Sequence, residues 1–504
     1  MADFPESRIK TKYLTMKNLI SLAVLAFTAL IMACSPQAPV GEWQIIFDGQ
    51  TLDGWKKATE NPESITVEDG TIKCSGDRSH LFYTGKFNNF ELEAEVKTLD
   101  KSNSGIYICT EYQAENFPSK GYEIQINNTF RGDNPQIPER RKTGSISGIR
   151  NIYFPFVNDN EWFKIRIKVV ENFVEVFLND VKVNEYTQPE NPWRGEEAQE
   201  RLLGEGTIAL QAHDPGSTTY FKNIRIKALA EGEKAIVEDV DWDTKVTQLH
   251  RAGFPLVDYH VHLKGGLTLE ECVANSQKVG INYGIAPNCG LHFPVTDDES
   301  LYAYMEEVKG APCFKGMQAE GREWITLFSP EAVSKFDYVF TDAMTFTDKK
   351  GRRSRIWIPE EVFVDDKQQF MDDLVGKIEA IFSQEPVDIY VNPTVLPDVL
   401  MPEYEALWTK ERMERVVKVL ADNGIALEIN ARYKTPHADM IKMAKAAGIK
   451  FTFGTNNTAS ELGRLDYCLQ MIEECQLTPN DMFEIKSDAA KPVNVKGLPD
   501  HITG

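Results

Sequence analysis

Near the midpoint of the chain two histidines stand one residue apart, in Val257-Asp258-Tyr259-His260-Val261-His262-Leu263-Lys264. Side chains alternate along an extended strand, so His260 and His262 share a face. Two imidazoles on one face supply half of a four-coordinate metal site. The plainer alternative is a polar strand end with two hydrogen-bonded histidines. A second grouping lies upstream, in Tyr122-Glu123-Ile124-Gln125-Ile126. There Glu123 and Gln125 share one strand face, opposite Ile124 and Ile126, so a carboxylate and an amide project together. A solvated strand face is the competing reading, as for Glu91, Glu93 and Glu95.

Two kinds of element must position these groups. Residues 41–228 carry a period of two, as in Phe90-Glu91-Leu92-Glu93-Ala94-Glu95-Val96 and Phe163-Lys164-Ile165-Arg166-Ile167. Asn179-Asp180 supplies a hairpin turn. Many short strands, each with one apolar face, predict an antiparallel sandwich. Residues 229–253 are rich in Glu, Lys and Asp and read as a linker. From residue 254 the period changes. Strands are expected at 255–263, 283–287, 313–318, 338–344, 387–391, 426–429 and 450–454, with amphipathic helices between or after them. Seven such units predict a parallel βα barrel over residues 254–485, whose functional groups belong at the C-terminal strand ends. Thr435-Pro436 reads as the cap and first turn of one helix. Residues 486–504 read as a tail.

The 504 residues leave ample core for two domains, and 42% hydrophobic with 26% charged residues is a globular composition. A net charge of −21 argues against nucleic acid as a partner and against an anionic membrane surface as the main anchor. Met16-Lys17-Asn18 followed by an apolar run over 19–33 reads as a secretory signal. The run ends Leu30-Ile31-Met32-Ala33-Cys34-Ser35, which resembles the lipobox of bacterial lipoproteins. That resemblance implies lipid on Cys34, residues 1–40 as signal and tether, and an address in the bacterial cell envelope, periplasmic or at the outer membrane. The seven other cysteines show no CxxC spacing and read as small buried hydrophobes rather than a disulfide framework.

Several stretches of the first half carry a family resemblance: Ile46-Phe47-Asp48-Gly49-Gln50-Thr51-Leu52-Asp53-Gly54-Trp55, Asn103-Ser104-Gly105-Ile106, Gly121 to Ile126, Thr143-Gly144, Ile208 to His213 and Phe221 to Ile226. In that order they resemble the 3-keto-disaccharide hydrolase domain family. The resemblance implies a concanavalin-like jelly roll and a small carbohydrate substrate, a glycoside whose glucose ring carries a ketone at carbon 3. Family members often carry Arg a few residues after Ser-Gly-Ile, where this chain has Cys109. A 3-ketone acidifies the hydrogen on carbon 2. A base can remove it, the aglycone on carbon 1 can leave, and water can then add. This route needs a general base and something to stabilise an enolate. Glu123 and His213 are the candidates for base or ligand. For His213, at a strand end, turn capping is the alternative. Gln125, Arg131, Lys142, Arg150 and Gln211 are candidates for binding sugar hydroxyls.

Asp258-Tyr259-His260-Val261-His262 on a first strand, with Leu427-Glu428-Ile429-Asn430-Ala431 and Gly448 to Gly454, resembles the polymerase and histidinol phosphatase (PHP) family. That family binds two or three metals and hydrolyses phosphoesters. Where it has Thr-Asp-His this chain has Ala286-Pro287-Asn288, and Ser-Asp-Ala-His is replaced by Thr455-Asn456-Asn457-Thr458. These changes remove much of the charge that holds several cations. His260, His262, Glu320 and Asp342 remain as ligands for a single divalent ion of unassigned identity. Three readings follow: an envelope lipoprotein cleaving 3-keto-glycosides in its sandwich, a metal-dependent hydrolase in the barrel with the sandwich as carbohydrate-binding module, or a glycan-binding lipoprotein without catalysis.

Overall fold

The computed structural model describes residues 40–128 and 140–499. Cys34 and Arg131, the expected lipidation site and one expected sugar contact, lie outside the described residues.

The first half is a two-sheet antiparallel sandwich. The larger sheet runs, in spatial order, Val181–Thr187, Phe173–Leu178, Phe163–Val170, Phe90–Thr98, Thr218–Ala228, Thr71–Ser75 and Ile65–Glu68, with Trp43–Ile45 also pairing with Thr218–Ala228. The smaller runs Trp55–Lys57, Ser79–Tyr83, Thr207–Ala212, Ser104–Thr110 and Tyr122–Ile126. Alternation explains the packing. In Phe90–Thr98 the residues Phe90, Leu92, Ala94 and Val96 are buried, while the glutamates between them are half-exposed. Those glutamates are more than solvated charge. Glu91 pairs with Arg166 and Lys227, Glu93 with Arg225 and Glu95 with Lys222 across neighbouring strands. Such cross-strand pairs contribute about 0.2–1 kcal/mol each. In the smaller sheet Leu81, Ile106, Ile108, Ile124, Ile126, Ile208 and Leu210 join the core, which leaves the opposite face for other work.

The second half is a closed barrel of seven parallel strands: Val257–Val261, Asn282–Ile285, Phe314–Ala319, Tyr338–Thr341, Ile389–Tyr390, Ala426–Asn430 and Phe451–Gly454. Pairing of the second strand with the third closes the ring. The ring of Tyr338 fills space that side chains at Gly284 and Gly316 would need; a Cβ at Gly284 would lie 2.0 Å from the Tyr338 hydroxyl.

Three expectations change. The stretch expected to link the domains holds a 12-residue helix, Val240–Arg251. Its Asp243 pairs with Arg150 of the sandwich, and both are buried. Arg150 is thereby committed to the domain interface, not to sugar. The segment expected as a tail holds a short helix, Pro492–Lys496, with Val493 buried and the Lys491 ammonium donating to Ser334 O at 2.8 Å. The helix expected from Thr435-Pro436 begins instead at Ala438, because Thr435 is held in a bridge to Asn430.

The domains share one apolar cluster. Phe154 of the sandwich meets Phe314 edge-on at 5.9 Å, and Phe314 stacks on Tyr259. Around this contact Tyr153 N–H donates to Asn282 Oδ1 (3.0 Å) and the Gln277 amide donates to Lys182 O (2.7 Å). Burial, reinforced by Arg150, pushes His250 in this interface down to about 3, so it stays neutral. All seven described cysteines are free and buried, as their spacing suggested.

Candidate active site

The pairing register puts His80 opposite Gln211 and Tyr107 opposite Glu123 on the smaller sheet. These residues, with Gln125, occupy the face turned away from the sandwich core. Glu123 is half-buried and accepts a hydrogen bond from the Gln211 amide at 3.1 Å. The same amide donates to the Tyr107 hydroxyl at 3.2 Å. Gly105, on the adjacent strand, makes this possible: a Cβ there would lie 2.8 Å from Glu123 Oε1.

A second chain of contacts runs along the same sheet. Gln125 donates to Asn103 Oδ1 at 2.5 Å, and Asn103 Nδ2 meets His213 Nε2 at 3.3 Å. His213 Nδ1 lies 2.7 Å from Asp214 Oδ2. Since a carboxylate only accepts, Nδ1 carries the proton, and Nε2 presents its lone pair to the Asn103 amide. The carboxyl of Asp214 is raised by burial, but His213 and Ser217 outweigh this and hold it below its ordinary value. His213 is thus a histidine oriented by an acid, not a turn cap. The turn is held by Asp214, which accepts from Gly216 N–H and the Ser217 hydroxyl.

Sequence reasoning brought Glu123, Gln125, Gln211 and His213 to this face. It missed Tyr107, His80, Asn103, Asp214 and Arg201. Burial raises the Tyr107 hydroxyl well above its usual range, with Glu123 acting in the same direction, while the positive charge of Arg201 opposes both. His80 is 1% exposed, neutral because burial pushes it down to about 3, and its Nε2 has no partner among the described residues. The signal for Tyr107 was available, since it follows Gly105 by two. Arg201 comes from a loop and left none. Lys142 lies elsewhere, buried in a turned segment whose Lys142 N–H donates to Ile152 O at 2.8 Å.

At the C-terminal end of the barrel the two histidines are fully buried, their ring centroids 5.1 Å apart. His260 Nδ1 lies 2.6 Å from Glu428 Oε1, and His262 Nδ1 lies 2.7 Å from Ala286 O. Each Nδ1 therefore carries a proton, and each Nε2 is a lone pair with no partner among the described residues. A carboxylate behind a histidine is the arrangement that orients a metal ligand. Glu428, missed from sequence, is admitted by Gly454, where a Cβ would lie 1.9 Å from its Oε1.

The remaining donors are tied to amides. Asn288 donates to Glu320 at 2.6 Å, and Asn392 donates to Asp342 at 3.1 Å. Asn430 and Asn456 both donate to Asn392 Oδ1. Burial raises both Glu320 and Asp342 toward their neutral forms, and for Glu320 the nearby Asp342 adds to this. Among the described residues no group of three or more His, Cys, Asp or Glu side chains converges on one ion. The expected four-residue set of His260, His262, Glu320 and Asp342 is thus not assembled. Two imidazole nitrogens fit one divalent ion; the amides do not fit a second or third.

Residues 42–227 match the family model of the 3-keto-alpha-glucoside-1,2-lyase-like domain. A 3-keto-disaccharide hydrolase from Bacteroides thetaiotaomicron is 29% identical over 234 residues, covering 36% of this chain and 77% of that protein. Among solved structures, a protein assigned as a glycosyl hydrolase from Parabacteroides distasonis is 22% identical, covering 37% of this chain and 94% of its own, with a TM-score of 0.34. A histidinol phosphate phosphatase from Lactococcus lactis, solved with zinc, L-histidinol and phosphate, is 15% identical. It covers 44% of this chain and 94% of its own, with a TM-score of 0.33.

Proposed function

We propose that the sandwich cleaves the glycosidic bond of 3-keto-glycosides by removing the proton on carbon 2. The observation that carries this reading is the joint placement of Glu123 and the Asp214-oriented His213 on the core-averted face of a domain that matches the 3-keto-alpha-glucoside-1,2-lyase-like family model.

In this scheme the Glu123 carboxylate takes the carbon 2 proton, and the electron pair forms an enolate on the carbon 3 oxygen. The Tyr107 hydroxyl and the Arg201 guanidinium are the groups on this face that can stabilise that charge. The enolate then reforms the ketone, a double bond forms between carbons 1 and 2, and the bond from carbon 1 to the aglycone oxygen breaks. His213 Nε2 takes a proton from water and passes it to that oxygen. The hydroxide left adds at carbon 1, while Glu123 returns its proton to carbon 2. The net result is hydrolysis, with both groups restored. Gln211 and Gln125, both buried, orient Glu123 and Asn103 from beneath.

The test is product analysis by NMR on a 3-keto-disaccharide in deuterated water. Wild-type product should carry deuterium at carbon 2, and Glu123→Gln should lower kcat by about 10²–10⁴. Unchanged turnover in that variant removes Glu123 from the mechanism.

A second reading is favoured by the two unpartnered Nε2 atoms. His260 and His262 would hold one divalent ion, which when bound would supply Lewis-acid chemistry. Elemental analysis should then find no more than one ion per chain, lost in His260→Ala/His262→Ala. The proposed envelope address rests on residues 16–34, and the mass of the mature N-terminal peptide, with or without lipid on Cys34, decides it.

A further inference from the structure

A further aromatic ring stands over the core-averted face of the sandwich. Phe117 lies in the loop of residues 111–121, between the strands Ser104–Thr110 and Tyr122–Ile126, and is 38% exposed. An exposed phenylalanine needs no explanation by itself. This one is held in place from both sides. Arg78 lies over the ring, 4.8 Å from its centroid. The Arg78 guanidinium donates to Glu60 Oε1 at 2.6 Å and to Asn116 Oδ1 at 3.2 Å, and Asn116 N–H donates to Glu60 Oε2 at 2.8 Å. On the other side the Gln113 amide donates to Phe117 O at 2.9 Å and accepts from Ser119 N–H at 3.1 Å. The loop is braced, and the ring it carries stays open to solvent.

The place where the ring is held points to its use. It meets His80 edge-on at 5.9 Å and lies 5.6 Å from the His213 ring. In the smaller sheet the strand Thr207–Ala212, which carries Gln211 and leads into His213, has Ser79–Tyr83 on one side and Ser104–Thr110 on the other. Glu123 reaches Gln211 across Gly105, from the side of Ser104–Thr110. Phe117 rests on His80, on the side of Ser79–Tyr83. The carboxylate and the exposed ring thus bracket this strand from opposite directions, with His213 at the strand's end and against the ring.

A bound sugar must follow the same order. Given the chemistry proposed for this face, on which the assignment rests, carbon 2 faces Glu123 and the glycosidic oxygen on carbon 1 meets His213. The group beyond that oxygen is then directed away from Glu123 and onto Phe117. We propose that Phe117 forms the wall of the aglycone subsite, and that it selects glycosides whose leaving group presents a flat apolar face, an aryl ring or the C–H face of a second pyranose.

Benzyl and methyl 3-keto-glucosides separate this contact from the chemistry, because their leaving alcohols are of similar acidity. Binding energy from a non-reacting part of a substrate can be expressed in the transition state, so kcat/KM is the quantity to compare. Wild type should favour the benzyl glycoside by about tenfold or more. Phe117→Ala should lower kcat/KM for the benzyl glycoside by about tenfold and for the methyl glycoside by no more than about threefold. Its melting temperature and the pH dependence of kcat/KM should match wild type. Phe117→Tyr keeps the flat ring and should keep most of the benzyl preference. An equal fall on both substrates makes Phe117 a support for His213, and a wild type without benzyl preference leaves the aglycone off this ring. Either result overturns the assignment while the proposed chemistry stands. Cleavage of neither glycoside by wild type overturns that chemistry, and the assignment with it.

Discussion

Asp258 holds its carboxyl group out of water, at 1% exposure, with every oxygen in use. Oδ1 accepts from the N–H groups of His260 (3.0 Å) and Thr455 (3.1 Å), and Oδ2 accepts from the Thr455 hydroxyl (2.5 Å). These bonds favour the charged form, yet burial outweighs them and raises the carboxyl to about 6. An unfolded Asp titrates near 3.9. The folded value is the higher, so the folded state binds more protons between the two. The contribution to stability is full below about pH 4 and is lost as pH rises through about 6. Asp258→Asn keeps an oxygen for both N–H groups and removes the titration. Its urea midpoint relative to wild type should therefore improve between pH 4 and pH 8, by the equivalent of about 1–3 kcal/mol. A difference that stays flat with pH shows that Asp258 ionises normally. At this scale the sequence was legible wherever a side chain's role follows from strand parity. Glu123 and Gln125, or His260 and His262, share a face whatever surrounds them. It was not legible where a role depends on a partner far along the chain. Glu428 behind His260, Arg201 beside Tyr107 and the amides on Glu320 and Asp342 are all set by tertiary contacts.

Strands positioned the site more faithfully than helix ends did. The alternation in Phe90–Thr98 and Tyr122–Ile126 fixed both the faces and the sandwich, because a slip of one residue would turn Leu92 and Val96, or Ile124 and Ile126, to solvent. The helix near Thr435 was misplaced because cap and proline signals are local, while Thr435 is claimed by Asn430 across a bridge. The strand face also yields a test that separates position from chemistry. Gly105 has no unusual backbone angle; what its missing side chain provides is room for Glu123, whose Oε1 and Cγ would lie 2.8 and 2.9 Å from an added Cβ. The obstructed atoms belong to a flexible side chain, so Gly105→Ala should fold, with stability changed by about 1 kcal/mol or less, and Glu123 should shift. A displacement of this size in a catalytic group lowers rates by about 10²-fold. Steady-state kinetics on a 3-keto-disaccharide, set beside a thermal melt, should show the rate falling while the fold holds. Retained activity would mean that the carboxylate's position does not matter to the reaction.

The two domains were legible as separate periodic patterns, but their union was not. No local signal announces that Phe154 from a sandwich loop will sit on Phe314 at the start of a barrel strand. The apolar cluster formed there continues through Val257, Tyr259, Tyr338 and Phe483, so part of the barrel is completed by a residue from the other domain. Phe154 is 5% exposed. Truncating a buried phenylalanine costs about 3–5 kcal/mol, and here the cavity would open between domains instead of within one. The surrounding polar contacts, Arg150 with Asp243 and Tyr153 with Asn282, would then hold an interface without its apolar centre. Phe154→Ala should therefore loosen the barrel although the substituted residue lies in the sandwich. Hydrogen exchange followed by mass spectrometry reads this directly. Peptides covering Val257–Val261 and Phe314–Ala319 should lose protection in the variant, while those covering Phe90–Thr98, three strands in from the edge strand Val181–Thr187 that touches the barrel, should change less. Unchanged protection in the barrel strands would show that the barrel stands without the sandwich, and that the shared cluster is a contact between two independently stable units.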